Sequence, residues 1–433
     1  MSYDAAAPIF KALREDLWPA EFRGKTPADI ERAWPPWAAS HDASIRARVI
    51  AGDEDSIVHL LFFGTSFTTV PRITSRELAV LALAPDTGIG SLRPRIDALV
   101  DAAASGKADE RLQVVREVLT RAGVDLSNTT AQAQARQFLG TRARAVAGAG
   151  LQRLQAIADA GSGPANMFRD RGLASDTVIA TNLGIDRALS DLFAAGRLQR
   201  GTVRRVAIVG PGLDFVDKQF GYDFYPPQTI QPFAVIDSLV RSGLAAPTLA
   251  VTAFDLSPRV NAHLAAAGVR STAGTGYTIV LPRDVDQAWS PELIEYWTRF
   301  GQAIGQEERT PAPPSNAGHV QVRSVAIRPA VVTQVSSRDL DIVLDRVESS
   351  TDAERFDLVI ATNVLLYYDV FEQSLALANI AAMLRGGGVL LSNTRLVELP
   401  GVPMAQAGHT DVVYTRLPGI GETGDRVFWY VRQ

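Results

Sequence analysis

Three short runs carry the residue types that could do chemistry. Val206-Ala207-Ile208-Val209 leads into Gly210-Pro211-Gly212-Leu213-Asp214, Thr252-Ala253-Phe254 leads into Asp255-Leu256-Ser257-Pro258, and Phe356 to Ala361 leads into Thr362-Asn363. Each is an apolar run that ends in a glycine turn or a polar residue and precedes a helix-like segment. In a doubly wound sheet such runs are parallel strands, and ligands collect at their carboxyl ends. Glycines let the backbone approach a ligand closely, and the first turn of the following helix directs free N–H groups toward it. A carboxylate ending the second strand, here Asp255, can accept hydrogen bonds from both hydroxyls of a ribose.

Each of these residues also has a plainer reading. A lone GxG is most often a turn, an aspartate before a helix is a favoured turn residue, and a polar residue such as Asn363 caps helices. The dinucleotide-binding pattern GxGxxG requires a third glycine at position 215, where Phe215 stands, which counts against a nicotinamide oxidoreductase.

Taken in this order, the three segments resemble the class I S-adenosylmethionine-dependent methyltransferases, over about residues 200–433. The resemblance implies an α/β fold with a Rossmann-like, doubly wound, seven-stranded sheet whose last strand is antiparallel. It implies S-adenosylmethionine as cofactor and a cofactor site formed by Gly210, Pro211, Gly212, Asp214, Asp255, Leu256, Asp339, Leu340 and Asn363. In that family an acid placed like Asp255 holds the ribose, and an aspartate placed like Asp339 meets the adenine amino group, although an exposed loop acid explains Asp339 equally. The family's glycine loop often opens with an acidic residue. Residues 206–209 are all apolar, so Asp214 is the nearest acid to the ligand's amino end. The run Ala361 to Tyr368 is similar to one in protein-carboxylate methyltransferases of chemotaxis receptors, which puts the reactive side of the pocket at Asn363 and Tyr367. The acceptor expected is a small molecule or a protein carboxylate. A non-catalytic protein that senses or stores the cofactor is the competing class.

The loop Leu213 to Gln228 holds five aromatics in sixteen residues, whereas the whole chain has 32 in 433. Some of these rings must be packing. Phe220, Tyr222 and Tyr225 are nonetheless candidates for a lid, because ring faces stack on adenine and attract a sulfonium.

Composition narrows the alternatives. A net charge of −4 and no long Lys/Arg stripe argue against a nucleic-acid partner. The absence of cysteine excludes disulfides, thiolate metal sites and a cysteine nucleophile. The five histidines are scattered without paired spacing, so no metal is expected. No run approaches about 18 consecutive apolar residues, so neither a membrane span nor a membrane partner is expected, and the amphipathic start lacks a signal-peptide core. A cytoplasmic location is the default.

Residues 1–198 read as a mostly helical region that selects substrate or serves as a lid, and 199–433 as the cofactor-binding domain. Asp109 caps a helix whose Leu112, Val115, Val118 and Leu119 recur at helical spacing. Ile185, Leu189, Leu192 and Phe193 form another apolar face. Val58 to Phe67 fits a strand or a core helix. After Val203 the rhythm is strand-turn-helix, with core strands at 205–209, 248–254, 331–335, 358–361 and 389–392. Helices start near Pro232 and Pro258, and Phe233, Ile236, Leu239 and Val240 form the buried face of the first. Residues 273–330 are an insertion, and 411–417 and 426–431 suit a terminal antiparallel pair. No Pro/Gly/Ser-rich linker separates Leu192 from Val206, so the helical region should pack on the sheet, and proteolysis should begin around Glu307 to Gly318.

Overall fold

A computed structural model of the chain describes residues 1–160, 172–173, 177–217, 221–417 and 421–433. The amino-terminal region forms helices α1 (Tyr3–Ala12), α2 (Pro27–Phe63), α3 (Ser75–Leu83), α4 (Pro85–Ala104), α5 (Glu110–Arg121), α6 (Thr129–Ala160) and α7 (Thr181–Ala194). Local chemistry sets several of their starts. Thr26 accepts the Asp29 N–H with Pro27 at the first helical position, and Asp109 accepts the Leu112 N–H at 3.0 Å. The ambiguous run at Val58 is helical: α2 continues to Phe63 and spans about 55 Å at 1.5 Å per residue.

The strand-turn-helix part comprises β1 (Val203–Val209), α8 (Gln231–Arg241), β2 (Ala245–Phe254), α9 (Pro258–Thr272), β3 (Tyr277–Asp284), α10 (Pro291–Arg299), β4 (Gly305–Glu307) and β5 (Val320–Ile327). It continues with α11 (Pro329–Val332), β6 (Val335–Arg338), β7 (Phe356–Ile360), α12 (Val370–Met383), β8 (Leu384–Ser392), β9 (Met404–Leu417) and β10 (Gly421–Arg432). Seven strands form one sheet in the order β6-β2-β1-β7-β8-β10-β9. β10 runs antiparallel between β8 and β9, and the pairings among β6, β2, β1, β7 and β8 are parallel. This is the Rossmann-like, doubly wound sheet with an antiparallel last strand that the resemblance implies. β3, β5 and β4 form a separate antiparallel sheet within the insertion.

The third core strand differs from expectation. Pro329 opens the short helix α11, which buries Val331 and Val332, so the strand begins only at Val335. Two residues assigned to buried helix faces, Phe193 and Val240, are exposed. Both lie near the carboxyl ends of their helices, and Phe193 is covered instead by the Arg200 guanidinium at 5.1 Å.

Strand alternation divides the core. Val206 and Ile208 face α7, α8, α9 and the insertion, whereas Ala207 and Val209 face α12, α1 and the first half of α2. The second half of α2 joins α3 to α6 in a third core, which also takes Phe215 and Val216 from the loop after β1. Helices of the amino-terminal region therefore cover both faces of the sheet. Buried Asp186 on α7 fixes one such contact: it accepts from Ser238 on α8 at 2.6 Å and pairs with Arg241 of α8 and Arg299 of α10.

Candidate functional site

The ends of β2, β1 and β7 lie side by side, with Val209 opposite Phe254 and Ile208 opposite Ile360. The chain turns at the end of β1 through Gly210 (φ 64°) and Gly212 (φ 70°), and the Gly210 N–H donates to the Phe254 carbonyl at 2.8 Å. A Cβ on Gly210 would stand 2.6 Å from the Val364 Cγ2, so the turn requires glycine both for its φ and for space. Over these strand ends lies a cavity of about 270 Å³.

Of the candidate residues, Gly210, Pro211, Gly212, Asp255, Leu256, Leu340, Asn363 and Tyr367 line this cavity. Asp255 accepts the Ser257 N–H at 2.8 Å. Burial pushes its carboxyl up to about 6, while the Ser257 and Gly212 N–H groups and the Arg259 charge hold it from rising further. Asn363 is the one non-glycine residue at positive φ (61°) among the described residues. Its N–H donates to the Asn393 side chain at 2.8 Å, and the Asn393 amide donates back to the Asn363 Oδ1 at 2.6 Å. This reciprocal pair holds a strained backbone at the cavity edge.

Other residues from the sequence reading lie elsewhere. Asp214 is sealed 2% exposed, because the chain curls back to form an isolated bridge with Gln228. Its carboxyl accepts from the Tyr225 hydroxyl and the Gln228 amide, each at 2.9 Å. Burial, reinforced by Asp217, pushes it up to about 8, so it is mostly protonated at neutral pH and supplies no anion to an ammonium group. Asp339 is gripped by Arg46 of α2 through two bonds, at 2.7 and 2.9 Å, and does not line the cavity. Tyr222 and Tyr225 form a small core with Val280 and Ala317 of the insertion, away from the cavity. Arg72 lies 5.0 Å over the Tyr222 ring, and Arg111 donates to the Tyr225 carbonyl at 2.6 Å. The aromatic loop is thus a seam between helical region and insertion. Phe220 lies outside the described residues.

The sequence reading missed the cover. Val49 of α2, with Leu173, Thr177, Val178 and Thr181 from the approach to α7, closes the cavity from the amino-terminal side. The Arg48 carbonyl accepts the Leu173 N–H at 2.8 Å, and the Arg48 guanidinium donates to the Tyr367 carbonyl at 2.8 Å. It also missed Gln231 and Tyr368. Gln231 opens α8, and proximity to Pro232 was the only available sign of it. Among the described residues, no group of three or more His, Asp or Glu is placed to hold a metal ion, and no helix is long and apolar enough to cross a membrane.

No family model and no curated protein matches this chain. Solved structures similar to it include a TehB-like SAM-dependent methyltransferase from Corynebacterium glutamicum, at 13% identity and a TM-score of 0.25, covering 66% of this chain and 96% of that one. The N-methyltransferase NodS from Bradyrhizobium japonicum is similar at 15% identity and a TM-score of 0.26, covering 57% and 94%. Magnesium protoporphyrin IX methyltransferase from Synechocystis, with bound SAM, is similar at 13% identity and a TM-score of 0.26, covering 66% and 91%.

Proposed function

We propose that the cavity binds S-adenosylmethionine and that the protein transfers the cofactor's methyl group to an acceptor. The observation that carries this reading is Asp255: a cavity-lining carboxyl at the end of β2, set beside a glycine turn in which a Cβ on Gly210 would stand 2.6 Å from the Val364 Cγ2. Ionised Asp255 would accept from the ribose hydroxyls, and Leu256, Leu340 and Ile342 offer an apolar wall for the adenine. The bound cofactor would supply an electrophilic methyl group on a sulfonium. For such an in-line displacement the protein's work is alignment and exclusion of water. Val49, Leu173 and Val178 supply the exclusion, and the Asn363–Asn393 pair fixes the edge where an acceptor would meet the methyl. The acceptor is a small molecule or a protein carboxylate, chosen by the helical cover; no described residue of the insertion lines the cavity.

Calorimetry with S-adenosylmethionine, S-adenosylhomocysteine and NAD tests the reading. The first two should bind and NAD should not. Asp255→Ala should lose two hydrogen bonds of about 0.5–1.5 kcal/mol each, weakening affinity roughly 5–30-fold or more. Unchanged affinity in the variant would remove Asp255 from the site. Production of S-adenosylhomocysteine in the presence of an acceptor separates an enzyme from a non-catalytic cofactor sensor.

A further inference from the structure

A second cavity, of about 470 Å³, shares no lining residue with the one over the strand ends. α5 gives it one wall through Glu110, Gln113 and Glu117, and α9 gives it another through Arg259, His263 and Arg270. Within each set the residues recur at helical spacing and so lie on one helix face. The His263 side chain is 10% exposed. Its Nε2 lies 2.7 Å from the Tyr277 hydroxyl, whose oxygen accepts the Thr229 N–H at 2.7 Å. A backbone N–H can only donate, so the Tyr277 proton goes to Nε2 and the imidazole carries its own proton on Nδ1. Burial, reinforced by the Arg270 charge, pushes the ring down to about 4, so it is neutral at neutral pH. Among the described residues the Nδ1–H has no hydrogen-bond acceptor. The Glu110 Oε1 of the other wall faces it at 3.9 Å, beyond hydrogen-bond range.

We propose that this cavity binds a small organic hydroxy acid, whose hydroxyl bridges His263 Nδ1 and the Glu110 carboxylate and whose carboxylate meets Arg270. An atom about 2.8 Å from both Nδ1 and Oε1 closes a triangle on the 3.9 Å base, so one group can serve both. That group must accept from Nδ1–H and donate to the carboxylate. A hydroxyl does both. A carboxylate would meet the Glu110 charge, and an ammonium has no lone pair for Nδ1–H. Arg270 lies two turns farther along the same face of α9, and its side chain leans back toward the helix amino terminus. It has no ion pair among the described residues, and its charge acts on His263, Glu110 and Tyr277. An anionic group is drawn to that guanidinium and kept off the acidic wall. Val114, Pro226 and Ala262 offer an apolar surface for the body of the ligand.

Calorimetry on the full-length protein with phenyllactate and phenylpropionate, which differ only in the hydroxyl, tests the proposal. Phenyllactate should bind at least ~10-fold more tightly, as for one hydrogen bond to a charged group. His263→Phe keeps a ring but removes the Nδ1–H, and should erase most of that preference. Glu110→Ala should do the same at a half-exposed position, so the test stands even if His263→Phe fails to fold. Arg270→Gln should weaken both acids alike. Asp255→Ala, in the other cavity, should bind both as the wild type does. Equal affinity of the wild type for the two acids, or binding of neither, would mean that the bridging position holds only water and would overturn the proposal. A preference that survives Glu110→Ala, or that disappears in Asp255→Ala, would put the hydroxyl elsewhere and overturn it as well.

Discussion

Asp214 and Asp255 follow neighbouring parallel strands, and burial raises the proton affinity of both, yet only Asp255 opens onto the cavity. The difference lies in the chain that follows each. After β2 only residues 255–257 intervene before α9, so Asp255 stays at the strand ends, fixed by the Ser257 N–H. After β1 the chain makes an excursion over residues 210–230, pinched at its base where Asp214 meets Gln228. Asp214 is drawn into that pinch, and the excursion becomes packing. Asp223 at its far side accepts from Thr65 and Ser66 beyond the end of α2, while the Gln228 amide adds to the edge of β3 through bonds of 2.7 and 2.8 Å with Val280. Two carboxyls that burial shifts in the same direction, to about 8 and about 6, therefore sit in different surroundings. A raised carboxyl pKa marks a site only when the group opens onto space a ligand can fill.

The largest effect that could break this contrast is at the seam. Truncating Tyr222 and Tyr225 together to alanine removes two buried rings at about 3–5 kcal/mol each, so the ligand-free protein should melt far lower or fail to fold. The folded fraction should bind ligand normally. An unchanged melting temperature with lost binding would return these rings to the cavity wall.

A smaller effect separates the two aspartates by pH. The carboxyl of Asp214 lies at about 8 in the folded state, against about 3.9 when unfolded, so the folded state holds its proton over the interval between. Its stabilising contribution is fully present below about pH 4 and is lost as pH rises through about 8. Asp214→Asn should flatten the fall in stability between pH 5 and 8, by at most about 1.4 kcal/mol per pH unit, measured by denaturant titration. An unaltered slope would mean that Asp214 is already ionised.

The smallest effect concerns Asp255. Ribose recognition uses the ionised carboxylate, so S-adenosylhomocysteine affinity should be steady above about pH 6 and fall by up to tenfold per unit below it. Asp255→Asn should lose that dependence. A wild-type affinity that is flat down to pH 5 would place the ribose elsewhere.

The legible part of the site consists of residues whose position follows from a strand end. Gly210, Gly212, Asp255 and Asn363 each lie within four residues of an apolar run, and parallel strands leave little freedom over where such residues go. Illegible from sequence was any direction set by distant chain. Arg46 on α2 takes Asp339 away from the cavity, and Val49 and Thr181 reach it from elements far away in sequence. The aromatic loop was noticeable by composition, but composition does not say which way a ring points. The third strand slipped because Val331 and Val332 suit a buried helical turn as well as a strand, and Pro329 decides between them.

The central claim, that the cavity over the ends of β2, β1 and β7 is an S-adenosylmethionine site, is tested most directly by a crystal structure of the protein with S-adenosylhomocysteine. Ligand density is expected across those strand ends, with the ribose hydroxyls within hydrogen-bond distance of Asp255. Density for the ligand elsewhere, or a cavity that remains empty at saturating ligand, would contradict it.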